Sequence, residues 1–433
     1  MNGASARWLA LLMDNLIVGV FLTLFVLEFT VEFFLNELNI RRVRESWETR
    51  KVPDFFHGKI TDAEYDRSVQ YTLAKARFQR WSEIYSRVVI LLVLFSGVLP
   101  FLDNELSAIV PRLLPASHLG GVAFCIAVAI VFSLASLPMD LYSTFGIESR
   151  FGFNKTTLGL YLTDKLKGLI LGLLIGAPFL YVVLWLMAAT GPYWWLWAFA
   201  FIAVFQLGMI IIFPTVIAPW FNKFEPLKAG ELRDRILALA KQVGFETNGI
   251  FSMDGSKRSS HSNAYFTGFG KAKRIVLFDT LIEQMTIDQG LAVLAHEMGH
   301  YKMRHIRRML VIQSVFLFIV LYFLSLLVTY PPLFAAFGLQ PSNHAALVLF
   351  SLLSGPFIFY LGPFMNLLSR RHEYEADRFA AVTLRSGKPM EEALINLAVK
   401  NLTNLNPHPW YSAYHYSHPA PAERISAIRR LAL

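Results

Sequence analysis

His296 and His300 stand four residues apart, with Glu297 directly after the first, in the stretch Ala295-His296-Glu297-Met298-Gly299-His300-Tyr301. On a helix that spacing turns both imidazoles to one face, so the pair can grip a single metal ion. Glu297 then lies beside the first ligand, where its carboxylate can take a proton from a water on the metal. The surrounding residues read as one helical run from near Thr286 to beyond Arg304. A pattern this short can also arise by accident in a chain with 11 histidines.

A second charged helical patch, Arg371-His372-Glu373-Tyr374-Glu375-Ala376-Asp377, follows an apolar run. A hydrolytic zinc site takes three protein ligands and keeps one position open. Glu373 is the natural third ligand. Asp377, one turn on, is placed to hold the free ring nitrogen of a ligating histidine and so fix its tautomer. The same residues also fit a solvated helix face paired with Arg370, Arg371 and Arg378.

His296-Glu297-x-x-His300 followed by Glu373-x-x-x-Asp377 resembles the M48 metallopeptidases, and more closely the Ste24-type CAAX prenyl proteases. The stretches Ile147–Lys155, Ser260–Phe266, Lys273–Leu281 and His415–Pro419 look like that family as well, so the resemblance covers nearly the whole chain. It implies a mainly α, multi-pass membrane protein of about seven transmembrane helices enclosing a chamber, with a zincin-like protease region and a small β-hairpin. It implies one Zn2+ per chain on His296, His300 and Glu373, with Glu297 as base. His418, in His415-Tyr416-Ser417-His418-Pro419, and Arg424 match family residues that approach the substrate. Asn263 and Ala264 match an edge strand that holds the peptide. The substrate implied is a peptide or protein segment, C-terminal and prenylated.

Composition says what kind of scaffold must carry these groups. The chain is 55% hydrophobic and only 16% charged, with a mean hydropathy of +0.45, whereas soluble proteins carry roughly 25% charged residues. A membrane span needs about 20 mostly apolar residues. Runs of that kind fall at 8–34, 88–102, 119–141, 168–189, 194–220, 309–328 and 345–365, the first two being the least pure. The chain therefore divides into a membrane region, 1–220, with a polar loop at 39–87, and a protease region, 221–433, containing the last two spans. The first run is too long for a signal peptide and has no small-residue cleavage site close behind it. The single cysteine, Cys125, lies in a span, which excludes an intramolecular disulfide and a cysteine-based metal site.

With seven spans, every Lys and Arg among the 40 except Arg7 and Arg112 falls on one side. Positive charge stays cytoplasmic on insertion, so both metal motifs are expected to face the cytoplasm, from a bacterial inner membrane or an ER or nuclear membrane. The net charge of +9 is thus explained by topology and attraction to lipid heads, and no nucleic-acid partner is needed.

Ser262–Phe266 and Arg274–Phe278 read as a β-hairpin around Gly268 and Gly270. Such an edge can hold a peptide by strand addition, and a purely structural hairpin fits the same pattern. His372 points about 100° away from Glu373 around the helix and reads as structural. His305, among Arg304, Arg307 and Arg308, reads as part of a membrane-interface charge cluster. Asp14 and Asp140 are carboxylates inside or at the edge of spans. A transporter with an incidental metal-like motif is the competing class, but it leaves Glu373, Asp377 and the hairpin without roles. A general quality-control protease, as in the four-span heat-shock branch of the superfamily, is the nearer alternative, and five spans ahead of the metal motif favour the Ste24 type.

Overall fold

A computed structural model of the chain describes residues 3–113, 118–268 and 273–431. Gly270 and the Asp14 side chain lie outside what is described. The apolar runs form helices longer than the sequence reading gave, because polar residues continue them beyond the membrane. Helix α1 (Gly3–Glu48) extends well past the expected end near Phe34, and α2 (Asp62–Phe95) absorbs most of the polar 39–87 stretch. Thr61 starts α2 with a reciprocal cap, its hydroxyl accepting from the Glu64 amide while the Glu64 carboxylate accepts from the Thr61 amide. Antiparallel pairing is set by Trp47 with Asp66, Glu37 with Arg80 and Glu28 with Arg87.

The second span is bent. Gly97 takes φ +85° and turns the chain by 55° into α3 (Val98–Leu113). Three unbroken spans follow, each a helix widened by a π-helical segment. Helix α4 (Leu119–Leu141) continues to Glu148, α5 (Leu158–Leu171) joins α6 (Ala177–Ala189), and α7 (Trp194–Ile212) joins α8 (Ala218–Phe221).

Beyond the fifth span, β1 (Phe224–Pro226), α9 (Glu231–Gln242), β2 (Ile250–Met253), β3 (Ala264–Thr267) and β4 (Arg274–Phe278) build a four-stranded sheet of order β1-β2-β4-β3. The expected hairpin is there as β3–β4, with Ala264 opposite Leu277. The sequence reading missed β1 and β2, which are too short to show a period. Helix α10 (Asp279–Gln284) leads to α11 (Ile287–Lys302), whose start is fixed by a second reciprocal cap between Thr286 and Gln289.

The expected continuous helix past Arg304 does not form. The chain breaks at Met303–Arg304, with Arg304 left-handed at φ 59°, and the sixth span, α12 (His305–Leu327), begins at His305. After α13 (Pro331–Ala335), the seventh span is a bent pair, α14 (Asn343–Leu353) and α15 (Gly355–Thr383), turned by 54°. Helices α16 (Lys388–Lys400), α17 (Pro409–His415) and α18 (Pro421–Arg429) complete the chain. Two main apolar cores result. One lies among the spans, and the other joins α1 and α2 (Ile40, Val43, Tyr65, Leu73) to the sheet, α11, α16 and α18. The polar 39–87 stretch is thus a packed wall of the protease body.

Candidate metal centre

Helices α11 and α15 cross with almost no space between them. A Cβ on Gly299 would sit 3.1 Å from the Ala376 Cα and 3.2 Å from the Phe379 Cβ, so glycine is what permits this approach. Leu294, Ala295, Met298, Ala376 and Ala380 are fully buried around the crossing. The crossing brings Glu373 to the two histidines. His296 and His300 Nε2 are 3.1 Å apart, and Glu373 places Oε2 3.4 Å from the first and Oε1 3.2 Å from the second. One ligand atom from each of the three residues lies within 4.8 Å of the others.

The buried side of this cluster orients the ligands. His296 Nδ1–H donates to Asp377 Oδ1 at 2.8 Å, which leaves its Nε2 lone pair facing the cluster. Arg424 holds Asp377 by two bonds, Nε at 2.8 Å and Nη2 at 2.6 Å, and its Nη1 lies 3.3 Å from Glu373 Oε2. Arg424 is only 9% exposed. His418 is the exposed member, with its side chain 64% exposed and Nδ1 2.8 Å from Glu373 Oε2. The arrangement therefore brings together His296, Glu297, His300, Glu373, Asp377, Arg424 and His418. Within it Arg424 is buried, with Nε and Nη2 engaged by Asp377.

The donor set fits a divalent metal. Three carboxylates, Glu297, Glu373 and Asp377, converge with one guanidinium, an imbalance a dication neutralises. Glu373 Oε2 is buried, and none of the nitrogens around it is aligned to donate to it. Desolvation pulls the His296 ring down, but the Asp377 and Glu373 carboxylates beside it outweigh that and push it up to about 9. Glu297 is different. Burial raises its carboxyl above the ordinary value, with the neighbouring histidines working against the rise.

Two further histidines lie at the centre. His305, expected in an interface charge cluster, is instead buried, with Nδ1 3.0 Å from His300 Nδ1 and Nε2 3.0 Å from Glu375 Oε2. His372 is structural as expected, stacked on His305 at 4.0 Å. No helical spacing relates His300 to His305, so only the break at Arg304 could have revealed them.

Strand β3 packs beside α11 and forms one edge of the sheet. The Asn263 carbonyl accepts from the Phe278 amide, so the Ala264 N–H points to the opposite, strand-free edge, where the Asn263 side chain accepts from it at 2.8 Å.

Comparison with known proteins shows the family and the fold. Residues 42–223 match the family described as CAAX prenyl protease N-terminal, five membrane helices, and residues 226–432 match peptidase family M48. The chain is 38% identical to the CAAX prenyl protease 1 homolog of Arabidopsis thaliana, covering 87% of this chain and 90% of that one. It is 35% identical to CAAX prenyl protease 1 of Saccharomyces cerevisiae, covering 93% of each. The crystal structure of S. mikatae Ste24p superposes with a TM-score of 0.86 at 35% identity, covering 94% of this chain and 98% of that one.

Proposed function

This chain belongs to peptidase family M48 and is a multi-pass membrane metallopeptidase, and on that premise we propose that it is a zinc endopeptidase that cleaves extended C-terminal segments of prenylated proteins. The observation that carries the reading is the convergence of His296, His300 and Glu373 beside Glu297, at the foot of two membrane helices. In the M48 setting, two imidazoles and a carboxylate with an open fourth position favour zinc. Bound there, zinc supplies a Lewis acid and a water acidified to a pKa of about 7.

The chain's own residues do the rest. Glu297, with its carboxyl raised by burial, takes the proton of the attacking water and passes it to the leaving amine. His418, the exposed member, donates to the oxyanion that develops on the carbonyl. Asp377 and Arg424 position His296 and Glu373. The strand-free edge at Asn263 and Ala264 pairs with the peptide main chain, which gives affinity with little sequence selectivity.

A prenyl group on the substrate has room among the spans. A cavity of about 670 Å³ separates α4 from α5 and α6, lined by Ile130, Leu134, Leu137, Leu169, Leu173 and Leu180. Gly168, Gly172 and Gly176 face open space there. Residues 1–220 act on this reading as the membrane region and 221–433 as the protease region, with the site on the cytoplasmic side. The test is to assay the purified protein on matched peptides with and without a farnesyl group, measuring zinc in the same sample. Preferred cleavage of the farnesylated peptide is expected. Equal cleavage of both leaves a general membrane protease.

A further inference from the structure

An i, i+5 pair on a continuous helix is about 140° apart around the axis, so His300 and His305 would not meet on one helix. The chain brings them together by breaking. Helix α11 ends at Lys302, Arg304 turns left-handed, and α12 restarts at His305 itself. The His305 side chain is thereby folded back beneath α11 and is 3% exposed. Its Nδ1 lies 3.0 Å from His300 Nδ1, and its Nε2 lies 3.0 Å from Glu375 Oε2. The His372 ring lies flat on it at 4.0 Å and 12°. Glu375 is held in turn by Arg371 at 3.1 Å and Arg308 at 3.7 Å.

One arrangement of protons satisfies every member. With His300 offering Nε2 to the metal, as the ligand set above requires, its proton is on Nδ1. That N–H donates to His305 Nδ1, which puts the His305 proton on Nε2, where it donates to the Glu375 carboxylate. We propose that His305 and Glu375 form the relay that fixes the tautomer and orientation of His300, as Asp377 does for His296. His305 is then a positioning residue of the metal centre and also the first residue of a membrane span. The relay ties α11, α12 and α15 at one point, so the placement of the sixth span enters metal affinity directly.

The experiment is zinc affinity of the full-length, metal-stripped protein, measured by competition with a chromogenic chelator. His305→Phe keeps a ring against His372 but offers no acceptor to His300, and is expected to weaken zinc binding roughly 10- to 100-fold. His305→Asn sets an amide oxygen near the position of Nδ1 and should recover most of that loss. With zinc saturating, KM for a peptide should be the same in both variants and the wild type. Phe and wild-type proteins of equal affinity overturn the relay, as does an Asn variant no better than Phe, since ring packing alone then matters. Should the Phe variant not fold, Glu375→Ala carries the test, leaving the His305 ring in place, and unchanged affinity there overturns the proposal. A wild type that takes up no zinc removes the ligand set and the relay together, whereas a zinc-binding wild type with unaffected variants removes only the relay.

Discussion

Among the described residues nothing donates to Glu297, whereas Glu373 and Asp377 are surrounded by histidine and arginine nitrogens. A half-buried carboxylate without a partner is a poor ligand anchor and a good base. Glu297→Gln is therefore expected to retain the metal while lowering kcat by roughly 10²- to 10⁴-fold, the usual contribution of a positioned base. Metal content and single-turnover cleavage measured on one sample check it, and loss of metal in the variant would return Glu297 to the ligand set. Arg424 has the opposite character, because its removal leaves Asp377 buried and uncompensated. Arg424→Ala should cost about 3–5 kcal/mol of stability, and the double variant with Asp377→Asn should lose less than the two single changes added together. Thermal unfolding of the four proteins measures this coupling, and strict additivity would mean the pair is not the anchor it looks to be. The convergence of His296, His300, Glu373 and Asp377 was legible in the sequence because it depends on helical spacing. The pairing of buried Arg424 with Asp377 was not, since nothing in the local sequence says which way a guanidinium 47 positions from its partner will face.

At the level of elements, the site depends on how closely α11 meets α15. Gly299 lies inside the metal motif, yet its role is in packing: a methyl there would press on the Ala376 backbone at 3.1 Å. Overpacking a tight contact costs about 1–3 kcal/mol. Gly299→Ala is expected to separate the helices by a few tenths of an ångström and weaken zinc binding, and Gly299→Val to do so more strongly. Chelator competition reads both, and an alanine variant with wild-type affinity would show that the crossing has slack. The strand edge supports a separate prediction. Ala264→Pro removes the outward N–H, so turnover of every peptide should fall similarly while zinc content stays constant. Normal cleavage would return the hairpin to a purely structural role. Helix α11 could be placed from its sequence because Thr286 and Gln289 cap it. Its end could not, because Met303 and Arg304 carry no glycine, asparagine or proline to mark a stop.

For the whole molecule, the sequence showed seven apolar runs but not how far helices extend beyond them or where two of them bend. Hydropathy reports the hydrocarbon layer alone, and α1, α2 and α15 continue through it into the protease body. That continuation fixes topology independently of charge counting. Ile40 and Val43 of α1, Tyr65 of α2, Leu294 of α11 and Ile428 of α18 share one buried core, and no bilayer can pass between residues in contact. The loop after α1 and the C-terminal helix must therefore lie on the same side. By the Lys and Arg distribution we propose that this side is the cytoplasm. Because Cys125 is the single cysteine, one replacement gives a cysteine-free background in which new thiols can be placed one at a time. Cysteines at Lys51 and Arg430, both exposed, should react with a membrane-impermeant maleimide only when the cytoplasmic face is open to it. A cysteine at the exposed Glu105, in α3 and expected on the far side, should show the reverse. If Lys51 and Arg430 label from opposite faces, α1 and α18 cannot share a core, and the packing of the protease body against the membrane helices is wrong.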